Sequence, residues 1–200
     1  MALAVSGLNP EHREVLLRDK PSEMLAISSK GTVPVFQTSD GVVLDESFDI
    51  MLHALAVEDP LGWRRNLGCA RRQALLERND GTFKVALDRY KYGSRADADV
   101  RPGAIEEATA MLTQIEATMG DAAFIDGPSM GLYDVAIFPF IRQLAGVDTA
   151  QFEAMAPPKL TRWLRAMMDA PAFTAVMAKI APWKAGDEPH LFRATLLDTR

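Results

Sequence analysis

The sequence predicts a small mixed α/β domain followed by an all-α helical bundle. Short strand-like and short helical segments alternate up to about residue 56, whereas the chain after residue 66 carries helical periodicity alone. Between the two lies Glu58-Asp59-Pro60-Leu61-Gly62, whose proline and glycine interrupt both patterns. We therefore predict a first domain at residues 1–56, a linker at 57–66 and a helical domain at 67–200.

The composition limits the classes of function. A chain of 200 residues with 48% hydrophobic and 24% charged residues is typical of an ordinary globular protein with a substantial core. A formal charge of −5 argues against a nucleic-acid partner, because binding phosphates needs clustered cations. No apolar run is long enough to span a bilayer. A single cysteine excludes an internal disulfide and predicts a reducing, cytoplasmic location.

The first domain is predicted to contain three short strands and two helices. Residues 11–17 are short and rich in charge, which suits a strand at a sheet edge. Pro21 opens a short helix, and Ile50 and Leu55 are inward positions of a second helix. The predicted elements are a strand at 11–17, a helix at 21–27, strands at 32–38 and 42–45, and a helix at 46–56.

The step Val33-Pro34 marks the start of the strand at 32–38. Proline lacks a backbone donor and fixes φ, so within a sheet it belongs at the first residue of a strand. X-Pro is also the bond type that takes the cis form at modest cost, and a cis bond would leave the N–H and C=O of Val33 free for an extended ligand. A trans bond at an ordinary loop-to-strand junction is the alternative. Asp40-Gly41 then predicts a two-residue hairpin turn with positive φ.

Glu46 and Ser47 fall at the predicted N-terminus of the helix at 46–56. Free backbone N–H groups and the helix dipole favour a bound carboxylate at such a position. A strand edge close to this helix end suits a small peptide with a free α-carboxylate. In the alternative interpretation both residues only cap the helix, as residues of these types commonly do.

The second domain is predicted to be wholly helical. A long amphipathic pattern contains Asp80-Gly81, a pair expected to bend the helix. The stretch after Gly131 is strongly apolar and predicts the buried central helix of this domain. The predicted helices lie at 67–92, 103–119 and 132–144, with two short ones after Pro158 and Pro171.

Taken in order, these motifs resemble the thioredoxin-like half of the glutathione S-transferases. The resemblance rests on Gly31-Thr32-Val33-Pro34-Val35, then Asp40-Gly41, then Leu44-Asp45-Glu46-Ser47 followed by Ile50. It extends from residue 1 to about residue 190, because the helical part resembles the second half of that family as well. The implied fold is an incomplete thioredoxin-like domain, truncated at its N-terminus, followed by the family's C-terminal helical bundle.

The resemblance implies a glutathione-binding site in the first domain. It implies that the backbone of Val33 pairs with the cysteinyl part of glutathione and that Pro34 shapes the site. It also implies that Glu46 and Ser47 bind the γ-glutamyl group, and that Lys30 reaches the glycyl carboxylate.

The resemblance also assigns residues of the helical domain. Tyr90 and Tyr92 lie near the end of the helix at 67–92, where the family places its pocket for the electrophile. In the alternative interpretation these two tyrosines only pack in the core and at the surface. Gly131 stands where the family has a Ser or Thr helix cap, and Asp134 retains the acidic position of that capping box. We interpret Asp134 as structural.

The residue that activates the thiol of glutathione remains unknown. Attack on an electrophile needs a thiolate, which the family holds with a Tyr, Ser or Cys between its first strand and first helix. Residues 1–8 resemble the second half of that helix instead. Two hypotheses account for the absent strand. Either the start site is placed too far downstream, or the stretch from His190 to Leu197, which is strand-like in composition, adds to the sheet.

The other reactive residue types carry weaker signals. Cys69 is predicted to pack in a helix rather than to act as a nucleophile, although the nearby arginines could lower the pKa of its thiol. A basic cluster, made of Arg64, Arg65, Arg71 and Arg72, predicts a solvated helix face or an interface rim. His12, His53 and His190 are isolated and lack ligand spacing, so we predict no metal and no cofactor, glutathione being a cosubstrate.

The sequence therefore predicts a cytoplasmic glutathione S-transferase-like protein. Its expected reaction is attack of glutathione on a small apolar electrophile, or exchange of thiols, and the resemblance alone implies a homodimer. One alternative is a non-catalytic module with the same fold that serves in binding or interaction. The other is a remnant that has lost glutathione binding altogether.

Overall fold

The computed structural model describes residues 1–92 and 100–192. Contacts divide the chain into two units. The first is Met1–Leu61 together with the chain from Pro171 onward, and the second is Gly62–Ala170. The predicted bounds differ from this grouping, since they place everything after residue 67 in the helical domain. The difference follows from backbone pairing between the two ends of the chain.

The first unit is built from short elements. These are α1 (Ala2–Ser6), α2 (Ser22–Ile27), β1 (Phe36–Gln37), β2 (Val43–Leu44) and α3 (Ser47–Val57). α2 and α3 confirm the two helices predicted for this part of the chain. α1 packs against α3, and the contact buries Ala4, Val5, Ala54 and Leu55. These apolar side chains hold α3 in place and thereby position its N-terminus.

β1 and β2 form an antiparallel pair. Phe36 lies opposite Leu44, and Gln37 lies opposite Val43. The pair confirms the positions of the two predicted strands in shorter form. Because the strands are antiparallel, the chain entering β1 and the chain leaving β2 lie at the same end of the hairpin.

The turn between the two strands has three residues, so the predicted two-residue turn is wrong. The N–H of Thr38 donates to the C=O of Val42 at 2.9 Å, and the N–H of Gly41 donates to the C=O of Thr38 at 3.0 Å. Ser39, Asp40 and Gly41 therefore form the loop, and Gly41 has a φ of 89°. A three-residue loop of this kind needs positive φ at its last position only, and glycine adopts it without steric cost.

The prediction of a continuous strand at 11–17 is wrong. In this segment the described chain forms only isolated bridges, at Glu11 and at Leu16. The bridge at Leu16 is made to the neighbouring Asp19. The bridge at Glu11 is made to Leu191, 180 positions away, so pairing at this edge depends on the far end of the chain.

The C-terminal segment pairs with the start of the first unit. The contacts are an antiparallel bridge between Glu11 and Leu191, and hydrogen bonds from His12 N–H to His190 C=O (2.7 Å) and from Phe192 N–H to Pro10 C=O (2.8 Å). Residues 190–192 therefore pair with the chain before α2 through an isolated bridge, and not with the two-stranded sheet of β1 and β2, so they do not bear out the hypothesis that the stretch at 190–197 adds to the sheet. The remainder of that stretch lies outside the described residues.

The second unit is helical, as predicted. Its α-helices are α4 (Ala70–Arg78), α5 (Lys84–Tyr92), α6 (Val100–Met119), α7 (Leu132–Val147), α8 (Thr149–Met155) and α9 (Pro158–Met168), and α10 (Pro171–Thr174) follows in the first unit. A 3-10 turn at Trp63–Asn66 precedes α4. Fully buried residues of the core include Phe83, Met111, Ile115, Leu132 and Phe138. Within residues 1–92 and 100–192, no helix is both long and apolar enough to cross a membrane.

The predicted bend at Asp80-Gly81 is confirmed. A single π-helical turn, Asn79–Phe83, separates α4 from α5, and Gly81 leaves helical geometry with φ −96° and ψ −105°. Such a turn widens the hydrogen-bond spacing locally and redirects the helix axis. The bend lets α5 pack along α6 and α7 while Phe83 fills the core beneath it.

Arg78 and Glu107 join α4 to α6 across this bend. The guanidinium meets the carboxylate through two hydrogen bonds, Nε to Oε1 at 2.9 Å and Nη2 to Oε2 at 3.0 Å. Nη1 of Arg78 also donates to Gln114 Oε1 at 2.7 Å, and Thr82 Oγ1 donates to Glu107 Oε1 at 2.8 Å. The Arg78 hydrogen bonds hold the pKa of the Glu107 carboxyl below its usual range.

We expect Glu107→Gln to lower the free energy of unfolding by about 1 kcal/mol at neutral pH, because the paired side chains are only partly shielded from water. A carboxyl whose folded-state pKa is lowered contributes stability above its unfolded pKa of about 4.3. This contribution is lost as the pH falls through the folded-state pKa. Urea unfolding at neutral and at acidic pH measures it. Glu106→Gln, an exposed neighbour on the same helix, is the control. An equal loss at both pH values would contradict the ion-pair origin.

Asp134 is fully buried and accepts four hydrogen bonds at the start of α7. Its Oδ1 accepts from the backbone N–H of Ile125 and from the indole N–H of Trp163, each at 2.7 Å. Its Oδ2 accepts from the N–H of Asp126 at 3.1 Å and from the N–H of Gly131 at 3.0 Å. These contacts confirm the structural role predicted for Asp134.

Gly131 is the N-cap of α7, and a second buried carboxylate replaces the side chain that it lacks. Oδ2 of Asp126 accepts from the N–H of Tyr133, the second residue of the helix, at 2.8 Å. A Cβ atom on Gly131 would lie 2.5 Å from that same oxygen. Asp126 therefore occupies the space of a capping hydroxyl and satisfies one of the free helix donors.

Two arginines of the basic cluster hold the loop that precedes α7. Arg65 Nη1 donates to the C=O of Met130 at 3.1 Å. Arg72 Nε donates to the C=O of Ile125 at 2.8 Å and lies 3.2 Å from Oδ1 of Asp126. The prediction of a solvated face is wrong for Arg72, whose side chain is only 19% exposed. A guanidinium with several donors can satisfy several loop carbonyls at once.

Candidate functional site

Val33 presents free backbone groups just ahead of β1. The Val33-Pro34 peptide bond is cis, the first of the two forms considered from the sequence. The side chain of Val33 is 44% exposed. Within the described part of the chain, neither its N–H nor its C=O makes a hydrogen bond. An exposed donor and acceptor on one residue can pair with the backbone of a bound peptide.

The N-terminus of α3 is open to solvent. Glu46 is the N-cap residue with extended geometry (φ −114°, ψ 132°), and no side-chain hydrogen bond caps the helix. Glu46 and Ser47 are both exposed. The alternative in which these side chains only cap the helix is therefore not what the structure adopts. The helix end keeps the character of an anion-binding position.

Lys30 connects the segment before β1 to the start of α3. Its Nζ lies 2.8 Å from Glu46 Oε1 and 3.0 Å from Asp45 Oδ1. The hydrogen bonds that Lys30 donates to Glu46 and then to Asp45 raise the pKa of Lys30. The structure thus brings Lys30 and Glu46 together as an ion pair.

The two tyrosines predicted to line an electrophile pocket lie in different surroundings. Tyr90 is 6% exposed and belongs to the core of the second unit. Tyr92 is 77% exposed, and Nζ of Lys91 lies 4.8 Å above its ring. Residues two positions apart on a helix point about 200° from each other. The structure therefore does not bring these two side chains together.

Cys69 is the N-cap residue of α4 and is partly exposed. Nη1 of Arg72 lies 3.1 Å from its Sγ. Hydrogen bonds from Arg72, through its backbone N–H and then through its guanidinium, lower the pKa of the Cys69 thiol. Besides the predicted packing role, Cys69 has surroundings that favour its thiolate, because the sulfur lies beside a cation and a helix N-terminus.

We expect the alkylation rate of Cys69 by iodoacetamide to rise at a lower pH than that of an ordinary thiol, whose pKa is about 8.5. The thiolate is the reacting form, and Arg72 stabilises it. Since the chain has one cysteine, total incorporation measured by mass spectrometry reports this site alone. The urea-unfolded protein is the control. Identical pH profiles for the folded and unfolded chains would contradict the prediction.

Two of the three histidines lie close to each other, so the prediction that all three are isolated is wrong for His12 and His190. The ring centroids of His12 and His190 are 6.3 Å apart, because the C-terminal segment pairs with the start of the chain. No signal in the local sequence could have found a contact over 178 positions. Among residues 1–92 and 100–192, no group of three or more His, Cys, Asp and Glu side chains could hold a metal ion.

Two family models match most of the chain. Residues 1–60 match the model described as glutathione S-transferase, N-terminal domain, and residues 84–166 match the model described as glutathione S-transferase, C-terminal domain. No curated protein matches the chain significantly.

Many solved structures share the fold. Glutathione S-transferase III in its apo form matches with a TM-score of 0.70 at 21% identity, over 90% of this chain and 91% of that one. BphK, a bacterial GST solved as a ternary complex, matches with a TM-score of 0.69 at 18% identity, over 87% and 88%. A glutathione transferase homolog from Sulfitobacter with bound glutathione matches with a TM-score of 0.61 at 24% identity, over 78% and 77%. These matches confirm the predicted fold class, a thioredoxin-like domain with a small sheet followed by a helical domain.

Proposed function

Because the chain belongs to the glutathione S-transferase family, we propose that it binds glutathione at the residues around Val33 and Ser47 and transfers it to small apolar electrophiles or exchanges it between thiols. The observation that carries the proposal is the unpaired N–H and C=O of Val33, at the same end of the hairpin as the open N-terminus of α3. A tripeptide with a free α-carboxylate offers partners to both.

The ion pair between Lys30 and Glu46 supports the same proposal. Glutathione carries one ammonium and two carboxylates, so it can supply a partner to each side chain. In the complex, the ammonium of the γ-glutamyl group replaces Lys30 at Glu46, and the glycyl carboxylate takes up Lys30. One exposed internal pair is exchanged for two charge-assisted contacts with the ligand. Ser47 and the helix end then receive the α-carboxylate, and Pro34 shapes the surface beside Val33.

We expect Glu46→Gln to weaken glutathione binding about tenfold, since a charge-assisted hydrogen bond contributes about 1.5 kcal/mol or more. Isothermal titration calorimetry with glutathione measures the dissociation constant. Asp45→Asn is a matched control, because Lys30 contacts both carboxylates but only Glu46 is proposed to contact the ligand. Equal effects of the two substitutions, or no binding at millimolar glutathione, would contradict the proposal.

Catalysis is tested separately from binding. In the proposed reaction the glutathione thiolate attacks an activated aryl chloride, so a carbon–sulfur bond forms and chloride leaves. We propose that the exposed ring of Tyr92 contributes to the surface that meets the electrophile, while Tyr90 supports it from the core. The alternative function is a non-catalytic binding module with the same fold. Glutathione binding with no conjugation above the uncatalysed rate would favour the module.

The oligomeric state and the cellular location are proposed on grounds other than the geometry of the site. We propose a homodimer on family membership alone, and light scattering on the purified chain tests it. A cytoplasmic location fits the single free cysteine. Neither proposal alters the test of the glutathione site.

A further inference from the structure

His12 and His190 bring two imidazoles together inside the first unit. Their ring centroids are 6.3 Å apart, and the ring planes are inclined at 57°. Both side chains line one cavity, and no residue of the proposed glutathione site lines it. Neutral imidazole is the side chain that most commonly binds metal ions. The pair is therefore a candidate metal site in a part of the unit that the proposed function does not use.

The separation of the two rings fits a single ion between them. A Zn–N bond is about 2.0–2.1 Å long, so a bound zinc ion lies about 3.2 Å from the centroid of each ring. Two such centroids are about 5.2 Å apart at the tetrahedral angle and about 6.4 Å apart when the two bonds are collinear. The observed 6.3 Å lies within this range. Because His190 is exposed, its side chain can turn toward His12 to reach the tetrahedral angle.

Glu14 orients the imidazole of His12. Its Oε2 lies 3.6 Å from Nε2 of that ring. A carboxylate on this side favours the tautomer that carries the proton on Nε2, which leaves the lone pair on Nδ1. Histidines that bind metal ions commonly have a carboxylate beside the nitrogen that does not bind the ion. The surroundings of His12 therefore prepare Nδ1 as the binding atom.

Nδ1 of His12 has no partner in the described part of the protein. It is buried and makes no hydrogen bond there. A buried polar atom without a partner is uncommon in folded proteins and needs an explanation. A bound ion that takes up the lone pair supplies one. Within residues 1–92 and 100–192 the side chain of His190 also makes no hydrogen bond or ion pair, so binding an ion breaks none.

Backbone pairing fixes the distance between the two residues. The N–H of His12 donates to the C=O of His190 at 2.7 Å, and the N–H of Phe192 donates to the C=O of Pro10 at 2.8 Å. Two ligands on paired segments are already close to each other before the ion arrives. Such pre-organisation lowers the entropic cost of binding.

Lys179 is the nearby charge that opposes a cation. It lines the same cavity, but it is exposed, so water and salt screen its ammonium group. The carboxylate of Glu14 beside His12 supplies a negative charge that compensates it. The local charge therefore does not prevent a divalent cation from binding.

We propose that His12 and His190 together bind one divalent transition-metal ion such as zinc. Nδ1 of His12 and one ring nitrogen of His190 are the two protein ligands, and water completes the coordination. No third His, Cys, Asp or Glu in the described ranges completes a larger group, so the ion is exchangeable. Imidazole suits zinc, copper and nickel, whereas Mg²⁺ and Ca²⁺ prefer oxygen ligands. The bound ion joins the C-terminal segment to the start of the chain.

The test is a titration with zinc chloride followed by the imidazole NMR signals. The chain has three histidines, and His53, which packs on Phe36, is the internal reference. We expect zinc to shift the signals of His12 and His190 and to leave those of His53 in place. Magnesium chloride at the same concentration should shift none of them. Repeating the titration with Cys69→Ser excludes a contribution from the thiol.

Three single substitutions test which residues bind the ion. His12→Asn and His190→Asn should each weaken zinc binding at least about tenfold, since even the loss of a group that only supports a metal ligand costs that much. The variant that carries both should bind zinc no more strongly than either single one. His53→Asn is the matched control and should leave the dissociation constant unchanged. The backbone amide spectrum of each variant shows whether it is folded.

Three results would overturn the proposal. The first is no shift of the His12 and His190 signals at millimolar zinc. The second is a loss of affinity for His53→Asn equal to that for the other two variants, which would indicate non-specific binding. The third is a loss for His12→Asn without one for His190→Asn, because a site that needs both rings cannot tolerate the removal of either. None of these results bears on glutathione binding, which calorimetry measures separately.

Discussion

Asp134→Ala is expected to lower the free energy of unfolding by about 4 kcal/mol or more. The substitution leaves four buried N–H donors without an acceptor, those of Ile125, Asp126, Gly131 and Trp163. Each unsatisfied buried donor costs about 1–3 kcal/mol. A domain typically has a free energy of unfolding of only about 5–15 kcal/mol. This one carboxylate therefore contributes a large part of the free energy of unfolding of the second unit.

Chemical denaturation followed by near-ultraviolet circular dichroism measures the effect. Asp121→Ala is the control, because its carboxylate is fully exposed and pairs only with Lys159 at 3.3 Å among the described residues. Should Asp134→Ala fail to fold, Trp163→Phe removes a single donor and leaves the carboxylate, so a smaller loss of about 1–2 kcal/mol is expected. A loss under 1 kcal/mol for Asp134→Ala would show that water replaces the carboxylate at no great cost.

Asp134 also predicts a dependence of stability on pH. Burial raises the pKa of its carboxyl to about 6, while the indole hydrogen bond from Trp163 opposes the rise. A group whose folded-state pKa is raised contributes stability that is present below its unfolded pKa of about 3.9. That contribution is lost as the pH rises through about 6. The contribution of Asp134 to the free energy of unfolding falls as the pH rises, whereas that of Glu107 falls as the pH drops. Measuring the free energy of unfolding against pH for the parent and for Glu107→Gln therefore separates the two groups.

Gly131→Ser is expected to destabilise the protein by about 1–3 kcal/mol, although serine is a good N-cap residue. Its Cβ would lie 2.5 Å from Oδ2, 2.6 Å from Cβ and 2.7 Å from Cγ of Asp126. Asp126 cannot move away easily, because it is buried and bonded to Tyr133, Asn66 and Arg72. The N-cap preference for serine predicts a gain in the free energy of unfolding, whereas the observed packing predicts a loss. Denaturant unfolding of Gly131→Ser decides between the two.

A double variant identifies the cause. Asp126→Gly removes the obstructing side chain and leaves the Tyr133 N–H for a serine hydroxyl to satisfy. We expect the combination of Gly131→Ser with Asp126→Gly to be more stable than the sum of the single losses implies. Gly146→Ser is the control on the same helix, since nothing lies within 4 Å of a Cβ there. A neutral or stabilising Gly131→Ser would refute the proposed replacement of the cap by Asp126.

Much of the fold could be read from local patterns. The helical periodicity after residue 67 predicted α4 to α7, and Asp80-Gly81 predicted the bend between α4 and α5. The order of motifs from Gly31 to Ile50 predicted the hairpin and the start of α3. These features depend on residues within a few positions of each other, so steric preference and the spacing of apolar side chains determine them.

The length of the hairpin loop at Asp40-Gly41 could not be predicted from local patterns. The pair is compatible with two-residue and three-residue loops, and only the pairing of Thr38 with Val42 selects the longer one. The candidate site has the same limit. Glu46 could be predicted as exposed and acidic, but its ion pair with Lys30 across 16 positions depends on how the hairpin closes.

By itself the sequence determined the fold class and the family motifs, because both are written in residue type and spacing, and the resemblance supplied the structural role of Asp134. The tertiary structure alone decided which carboxylate caps α7, which arginine is largely shielded from solvent, and that the rings of His12 and His190 lie 6.3 Å apart. These contacts join residues that are far apart in the chain. Their energies arise from burial and hydrogen bonding in three dimensions, and the local sequence contains no record of either.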